Sequence, residues 1–236
     1  HLLDLGEQGL VDLMTQQSIA APEGTTGTTP QEQRRNHAAD ILGALHLALP
    51  TESVAKILRD APQLIDTDEA VSGAVRQFLS LATSDERRNT DTAYDIRSTR
   101  LSDYLERHGA AAFAGVDAAT QAKAIPQLQR AQRLFKLSTG PESFKALYAS
   151  GLGSAHAIAQ VSRQAFVAQW AGQVGKLDAM MIHARAQTTS ASALQVYVTL
   201  RDALCGVQLQ AMNMRSSDSQ MLTPQAINAE LLKAAA

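Results

Sequence analysis

The chain has 236 residues, of which 45% are hydrophobic and only 4% aromatic, and it carries a net charge of −2. This length can bury one large core or two small ones, and the shortage of aromatic residues favours an all-α protein built on Leu, Ile, Val and close Ala contacts. The near-neutral charge gives no electrostatic reason to expect a nucleic acid or an anionic membrane as a partner. The apolar runs are also too short to span a bilayer, and Cys205 is the single cysteine, which excludes an intrachain disulfide.

The first unit is predicted to comprise residues 1–30. A weak leucine-rich helix interrupted by Gly6 and Gly9 is followed by a loop rich in Gly, Thr and Pro. Because the chain starts at His1 and shows no signal-peptide pattern, we expect it to be part of a longer protein.

A helical subdomain is predicted over residues 31–125. An amphipathic helix covers residues 31–49, and Pro50 ends it and begins the next helix. The acidic residues at 66–69 suit a helix N-terminus, and a further helix is predicted from Ser98 to Gly109. No strand-like alternation is present.

A second helical subdomain is predicted over residues 126–236. Four short helical pieces begin at Pro126, with Pro141, Ser154 and Ser162 as start signals, and with Gly151 as a stop signal. The expected core residues, buried together against a long helix, are Phe144, Leu147, Ile158, Phe166 and Trp170.

The long helix is predicted at about residues 177–214, followed by a last helix capped by Thr223 and Pro224. A coiled-coil-like seam that packs against the shorter helices is predicted on this long helix. Its residues are Met180, Ala184, Gln187, Ala191, Leu194, Val198 and Arg201. The predicted architecture is therefore a bundle of short helices packed on one long helix.

The turn at residues 147–160 has two interpretations. Gly151, Gly153 and Ala157 resemble the turn of a helix-hairpin-helix module, which presents backbone N–H groups to DNA phosphates. The turn contains no Lys or Arg, however, and the surrounding basic residues are interpreted as solvated faces. Those residues are Arg130, Arg133, Lys136, Lys145 and Arg163. We therefore favour a structural hinge made of Gly151, Gly153, Ser154 and Ala157, which sets the angle between two helices.

No motif for catalysis or for metal or cofactor binding is apparent. No two of the six His residues are three or four positions apart, and no phosphate-binding loop, EF-hand or nucleophile motif occurs. His46 is interpreted as a hydrogen-bonded core or boundary residue. We predict a non-enzyme with no catalytic, cofactor-binding or metal-binding residues. The remaining alternative is an enzyme whose site is assembled from distant residues.

Three segments resemble the large A subunit of Tc-type insecticidal toxin complexes. They read YDIRSTRLSDYLERHGAAAF, QLQRAQRLFKLSTGPESFKALYASGLGSAHAIAQVSRQAFVAQWA, and KLDAMMIHARAQ continuing through ALQVYVTLRDAL. The resemblance covers Thr92 to Leu204. It rests on ordered apolar and small positions, namely Leu128, Leu134, Leu147, Gly151, Ser154, Ala155, Ile158 and Phe166.

The resemblance implies a place in the α-helical shell of a homopentameric, pore-forming translocation subunit that is secreted or held at the bacterial cell surface. The implied partners are the other domains of the parent chain, with a host receptor or surface glycan bound elsewhere on the parent. It implies no cofactor, no nucleic acid and no membrane contact by this part. The chain is too short to contain the channel or the receptor-binding insertions, so we expect a structural and interaction module.

Overall fold

The computed structural model describes residues 2–84 and 93–205, and the prediction of an all-α fold is confirmed over this part of the chain. Short 3-10 helices at Pro62–Leu64 and Gly109–Phe113 accompany the α-helices. The α-helices are α1 (Leu2–Gln16), α2 (Pro30–Ala48), α3 (Pro50–Asp60), α4 (Glu69–Ala82), α5 (Leu101–His108), α6 (Ala118–Leu137), α7 (Pro141–Ala149), α8 (Ala155–Ala159), α9 (Arg163–Val174) and α10 (Lys176–Cys205).

Local capping signals begin most of these helices. Asp68 and Asp117 are the N-caps of α4 and α6, and the Asp117 carboxylate accepts from the backbone N–H groups of residues 119 and 120, both at 3.0 Å. Thr29 forms a capping box with Glu32 at the start of α2. A side-chain acceptor at this position satisfies an N–H group that has no partner within the helix, which is why these starts are readable from sequence.

Two hydrophobic clusters hold the helices together. The main cluster runs from α3 to the first half of α10, and Phe78, Leu128 and Phe144 are among its fully buried side chains. A smaller cluster joins α1 to α2 through Leu10, Val11, Met14 and Ala38. The 1–30 unit therefore packs on the helix that follows it, through its own set of apolar contacts.

Arginine side chains close the C-terminal ends of several helices. Arg97 donates to the Leu47 carbonyl at the end of α2, and Arg185 donates to the Ser138 carbonyl at the end of α6 at 2.5 Å. The last carbonyls of a helix have no intrahelical donor and lie at the negative end of its dipole, so a guanidinium is a favourable partner. These contacts tie together elements that are distant in sequence.

The predicted helix start at Pro126 is wrong. The helix α6 begins at Ala118 and passes through Pro126 without interruption, so the expected boundary between residues 125 and 126 lies inside one helix. Proline removes one N–H group from the helix. Its position and that of Ala122, whose carbonyl loses this donor, are both exposed, so water can replace the missing bond.

Two other predicted details also need correction. The helix expected from Ser98 begins instead at Leu101, because Ser98 donates to the Asp95 carboxylate at 2.6 Å in a preceding turn. In α1 only Gly6 leaves helical geometry, with φ of 65°, whereas Gly9 lies within the helix. Glycine adopts this left-handed φ without the steric cost that other residues have.

The predicted seam on the long helix is wrong. The buried residues of α10 are Ala179, Ile182, His183 and Ala186. All seam positions from Ala184 onward are exposed, namely Ala184, Gln187, Ala191, Leu194, Val198 and Arg201. Packing against α8 and α9 sets the rotation of α10. Small residues lie on several faces of this helix, so the sequence alone did not identify which face is buried. Positions 206–214 and the helix predicted from Thr223 and Pro224 lie outside the described residues.

The second half of α10 extends beyond the bundle. Every position from 191 to 202 is exposed, and the sequence contains no charged residue between Arg185 and Arg201. Its exposed apolar side chains are Leu194, Val196, Tyr197, Val198 and Leu200, with between 38% and 62% of their surface open to solvent. This uncharged extension (residues 191–200) exposes more large apolar side chains than any other helix that the structure describes.

Candidate functional site

The turn between α7 and α8 brings together the predicted hinge residues. Gly151 has a φ of 76°, which is the left-handed conformation that ends a helix. Ser154 is the N-cap of α8 and accepts from the Ala157 N–H group at 3.2 Å. Gly153 lies between them, and a side chain built there would approach only Arg130, at 4.0 Å. Gly151 therefore adopts the left-handed conformation, whereas Gly153 does not.

Alanine substitutions separate the two glycines. We expect Gly151→Ala to lower the free energy of unfolding by about 1–2 kcal/mol, because a Cβ is strained at this φ. Gly153→Ala is the matched control and should be neutral, or stabilising by less than about 1 kcal/mol through the unfolded state. Urea denaturation measures both values, and equal effects would contradict this reading of the turn.

Two arginines of α6 contact the turn. Arg130 donates to the Tyr148 carbonyl at 2.6 Å, and its guanidinium carbon lies 4.6 Å from the centroid of the Tyr148 ring. Arg133 donates to the Gly153 carbonyl at 3.2 Å. The interpretation as a solvated face is therefore wrong for Arg130, whereas Arg133 is exposed as expected and adds one hydrogen bond to the turn. They are 18 and 20 positions from their partners, so no local pattern could identify them.

These contacts place cations on the carbonyl groups of the turn. A phosphate site of the helix-hairpin-helix type needs free N–H groups and basic side chains directed at the ligand. Here the N–H group of Leu152 is bonded to the Ser150 hydroxyl at 3.0 Å, and the two guanidinium groups bond to backbone oxygens. The geometry supports a packing joint between α6 and α7 more than an anion site.

Loss of the Arg130 contact should be measurable. We expect Arg130→Met to lower the free energy of unfolding by about 1–3 kcal/mol, since it removes a charge-assisted hydrogen bond and a cation–π contact. Arg133→Met removes one longer bond from an exposed side chain and should change stability by less than about 1 kcal/mol. Thermal or urea denaturation of both variants measures the two losses of stability. A larger loss for Arg133→Met than for Arg130→Met would contradict this prediction.

The expected core residues all lie in the main cluster. Phe144, Leu147, Ile158 and Phe166 are fully buried and Trp170 is 4% exposed. The Phe166 ring stacks on Trp170 with centroids 5.5 Å apart. It also faces the ring of His183 on α10, at 5.6 Å. The short helices are thus attached to the long one through Phe166.

A buried histidine joins three helical segments. The Nδ1 atom of His46 lies 2.7 Å from the Ser53 hydroxyl, and its Nε2 atom lies 3.3 Å from the Ser138 hydroxyl. Ser138 donates its own hydrogen to the Phe135 carbonyl at 2.8 Å, so it must accept from Nε2–H. Nδ1 is left to accept from Ser53. The neutral imidazole therefore links the α2–α3 corner to the end of α6.

The chemistry of this histidine favours structure over catalysis. Burial lowers the pKa of His46 from 6.5 to about 4, because a charged imidazolium would lose its hydration. A base with so low a pKa abstracts protons poorly at neutral pH. The sequence identified His46 as a core residue, and its partner 92 positions away could be found only in the fold.

Within residues 2–84 and 93–205, no cluster of three or more His, Cys, Asp and Glu side chains could hold a metal ion. No single helix of this part is long and apolar enough to cross a membrane. The α2–α3 pair has the length and composition of a membrane span when the two helices are taken together, but it bends by 116° at its junction.

Comparisons with family models, curated proteins and solved structures found no significant match.

Proposed function

We propose that the chain is a non-catalytic structural and interaction module of a larger protein. The observation that carries this proposal is the uncharged extension of α10, where Leu194 and Val196 are 62% and 58% exposed. A single helix with such apolar and β-branched residues gains little stability from its own hydrogen bonds and usually depends on packing. This favours a neighbouring structure that covers the extension.

The parent that we propose is the A subunit of a Tc-type toxin complex, with this chain in its helical shell. The resemblance of residues 92–204 to that family supports it, and so does an architecture of short helices packed on a long one. On this proposal the module positions other parts of a pentameric, translocating toxin. Receptor binding and pore formation then belong to the rest of the parent.

The sequence of the complete gene directly tests whether the parent protein is a toxin A subunit. We expect an open reading frame several times longer than this chain, with a pore-forming region, and a purified product that shows fivefold particles in electron micrographs. A parent of ordinary enzyme size that lacks a pore-forming region would overturn the assignment to a toxin shell.

Nucleic-acid binding is the second candidate function. The observation in its favour is the pattern of Gly151, Gly153 and Ala157, which resembles the turn of a helix-hairpin-helix module. It predicts a DNA mobility shift that weakens steeply with salt. Gly153→Glu should abolish the shift, and Gly140→Glu, which adds the same charge at another open glycine, should preserve it. No shift at low salt removes this candidate.

A further inference from the structure

One face of α10 is uncovered along most of the helix. The side turned toward the bundle carries the buried residues Ala179, Ile182, His183 and Ala186. Successive residues of a helix are rotated by about 100°, so a second row of residues lies on roughly the opposite side. We call this row the outer seam. All of its members are exposed, namely Met181, Ala184, Thr188, Ala191, Gln195 and Val198.

The outer seam has the spacing of a coiled-coil interface. Its members alternate three and four positions apart over residues 181–198, a distance of about 26 Å along the helix. The seam predicted from the sequence shares Ala184, Ala191 and Val198 with this row, but it was expected to contact the short helices. In the fold these residues point away from α8 and α9, so the short helices do not cover them.

The composition of the outer seam suits contact with a copy of itself. The sequence has no charged residue from 186 to 200, so two such faces can meet without burying a charge. Ala184 and Ala191 are seven positions apart, and small residues at a helix contact let the two axes approach closely. Met181 and Val198, which are 37% and 44% exposed, add larger apolar contacts at the two ends.

The order of residue sizes favours an antiparallel pair of seams. With a two-fold axis between positions 189 and 190, Met181 faces Val198 of the second copy. Gln195 then faces Ala184 of the second copy, and Thr188 faces Ala191, so each alanine receives a larger side chain. A parallel pair would instead set alanine against alanine and glutamine against glutamine, which leaves gaps at the alanines.

The charges just beyond the outer seam also favour the antiparallel direction. Lys176 and Asp178 precede the seam, and Arg201 and Asp202 follow it. In the antiparallel register Arg201 is level with Asp178 of the second copy. Asp202 is within about 1.5 Å of the level of Lys176. A parallel pair would place each charge level with the same charge of the second copy, and like charges at one level oppose association.

We propose that the chain forms a two-fold dimer in which the outer seams of two α10 helices pack against each other in antiparallel directions. The interface is isologous, so each seam residue contributes twice. The two bundles lie on the far sides of the helix pair, because each seam points away from its own buried face. Tyr197 and Leu200 lie on the face that continues the buried one, which the dimer leaves open. The dimer does not rest on the toxin assignment.

Sedimentation equilibrium of the full chain tests the dimer. The mass should rise reversibly with concentration from the 25.2 kDa of one chain toward twice that value. We expect Ala191→Glu to raise the dimer dissociation constant at least about tenfold, since it buries two carboxylates only about 4.5 Å apart along the axis. Thr189→Glu is the matched control, because it adds the same charge at an exposed position outside the seam. It should leave the dissociation constant unchanged.

Disulfide cross-linking tests the direction of the pair. In a Cys205→Ser background, the double variant with Ala184→Cys and Gln195→Cys should form a covalent dimer, because these positions face each other across the interface. Within one chain they are about 16 Å apart along the helix, too far for a disulfide. Ala184→Cys alone should not cross-link, since the antiparallel register holds it equally far from its own copy.

Three results would overturn the dimer. The first is a chain that keeps the mass of a monomer at the highest concentration at which it stays in solution. The second is an equal effect of Ala191→Glu and Thr189→Glu on the dissociation constant. The third is efficient cross-linking of Ala184→Cys alone, which identifies a parallel pair. All substituted seam positions are exposed, and circular dichroism of each variant should show unchanged helix content.

Discussion

Replacing Phe166 by alanine is expected to lower the free energy of unfolding by about 3–5 kcal/mol. The ring is fully buried, and it contacts both Trp170 and His183 at centroid distances of 5.5 and 5.6 Å. Its removal leaves a cavity where α9 meets α10, and the stacked indole loses one of its faces. Because this ring attaches the short helices to the long one, neighbouring side chains have little freedom to fill the space.

Urea denaturation followed by circular dichroism measures this loss. Leu177→Ala is a suitable control, because Leu177 lies on α10 but is 68% exposed and should change stability by less than about 0.5 kcal/mol. Leucine and alanine have similar helix propensities, so the comparison isolates burial. A loss below about 1 kcal/mol for Phe166→Ala would show that the contact between α9 and α10 is not tightly packed.

Acidification from pH 6.5 to pH 4 is expected to reduce stability by about 3 kcal/mol through His46 alone. The pKa of this residue is about 4 in the fold, against 6.5 for an unperturbed histidine. Between these values the unfolded chain binds a proton that the folded chain does not. Stability therefore rises with pH across this window and is lost as the pH falls. Well above pH 6.5 the imidazole is neutral in both states, which then bind equal numbers of protons at this site, and the contribution is constant.

A glutamine at position 46 tests this pH dependence. The amide of His46→Gln can accept from Ser53 and donate to Ser138, as the imidazole does, but it does not titrate. The free energy of unfolding of both proteins is measured by denaturation at several pH values from 7 to 4. The difference between the two curves should change by about 3 kcal/mol, and parallel curves would rule out His46 as the cause.

The sequence predicted the features that depend on neighbouring residues. Ser154 and Ser162 cap their helices as expected, and Pro141 begins α7 at its first position. Such signals act within about one helical turn, so they can be recognised without knowledge of the fold. The apolar spacing around Phe144 and Phe166 likewise identified residues that are buried.

The sequence-based predictions failed where contacts between distant parts of the chain determine the structure. Pro126 was predicted to begin a helix, but its exposed position lies inside α6, which starts at Ala118 and continues through it. Ala184 and Ala186 are the same residue type, and only packing against α8 and α9 determines that Ala186 is buried and Ala184 exposed. The guanidinium of Arg130 lies at a carbonyl 18 positions away. Contacts of this kind leave no periodic pattern in a sequence.

The separation of the two hydrophobic clusters has a consequence for hydrogen exchange. Because α1 is held to α2 by the small set of Leu10, Val11, Met14 and Ala38, it can open without disrupting the main cluster. Its amide protons should therefore exchange through a local opening that costs less than global unfolding and depends weakly on urea. The amides of α6, whose buried side chains belong to the main cluster, should exchange only when the whole molecule unfolds.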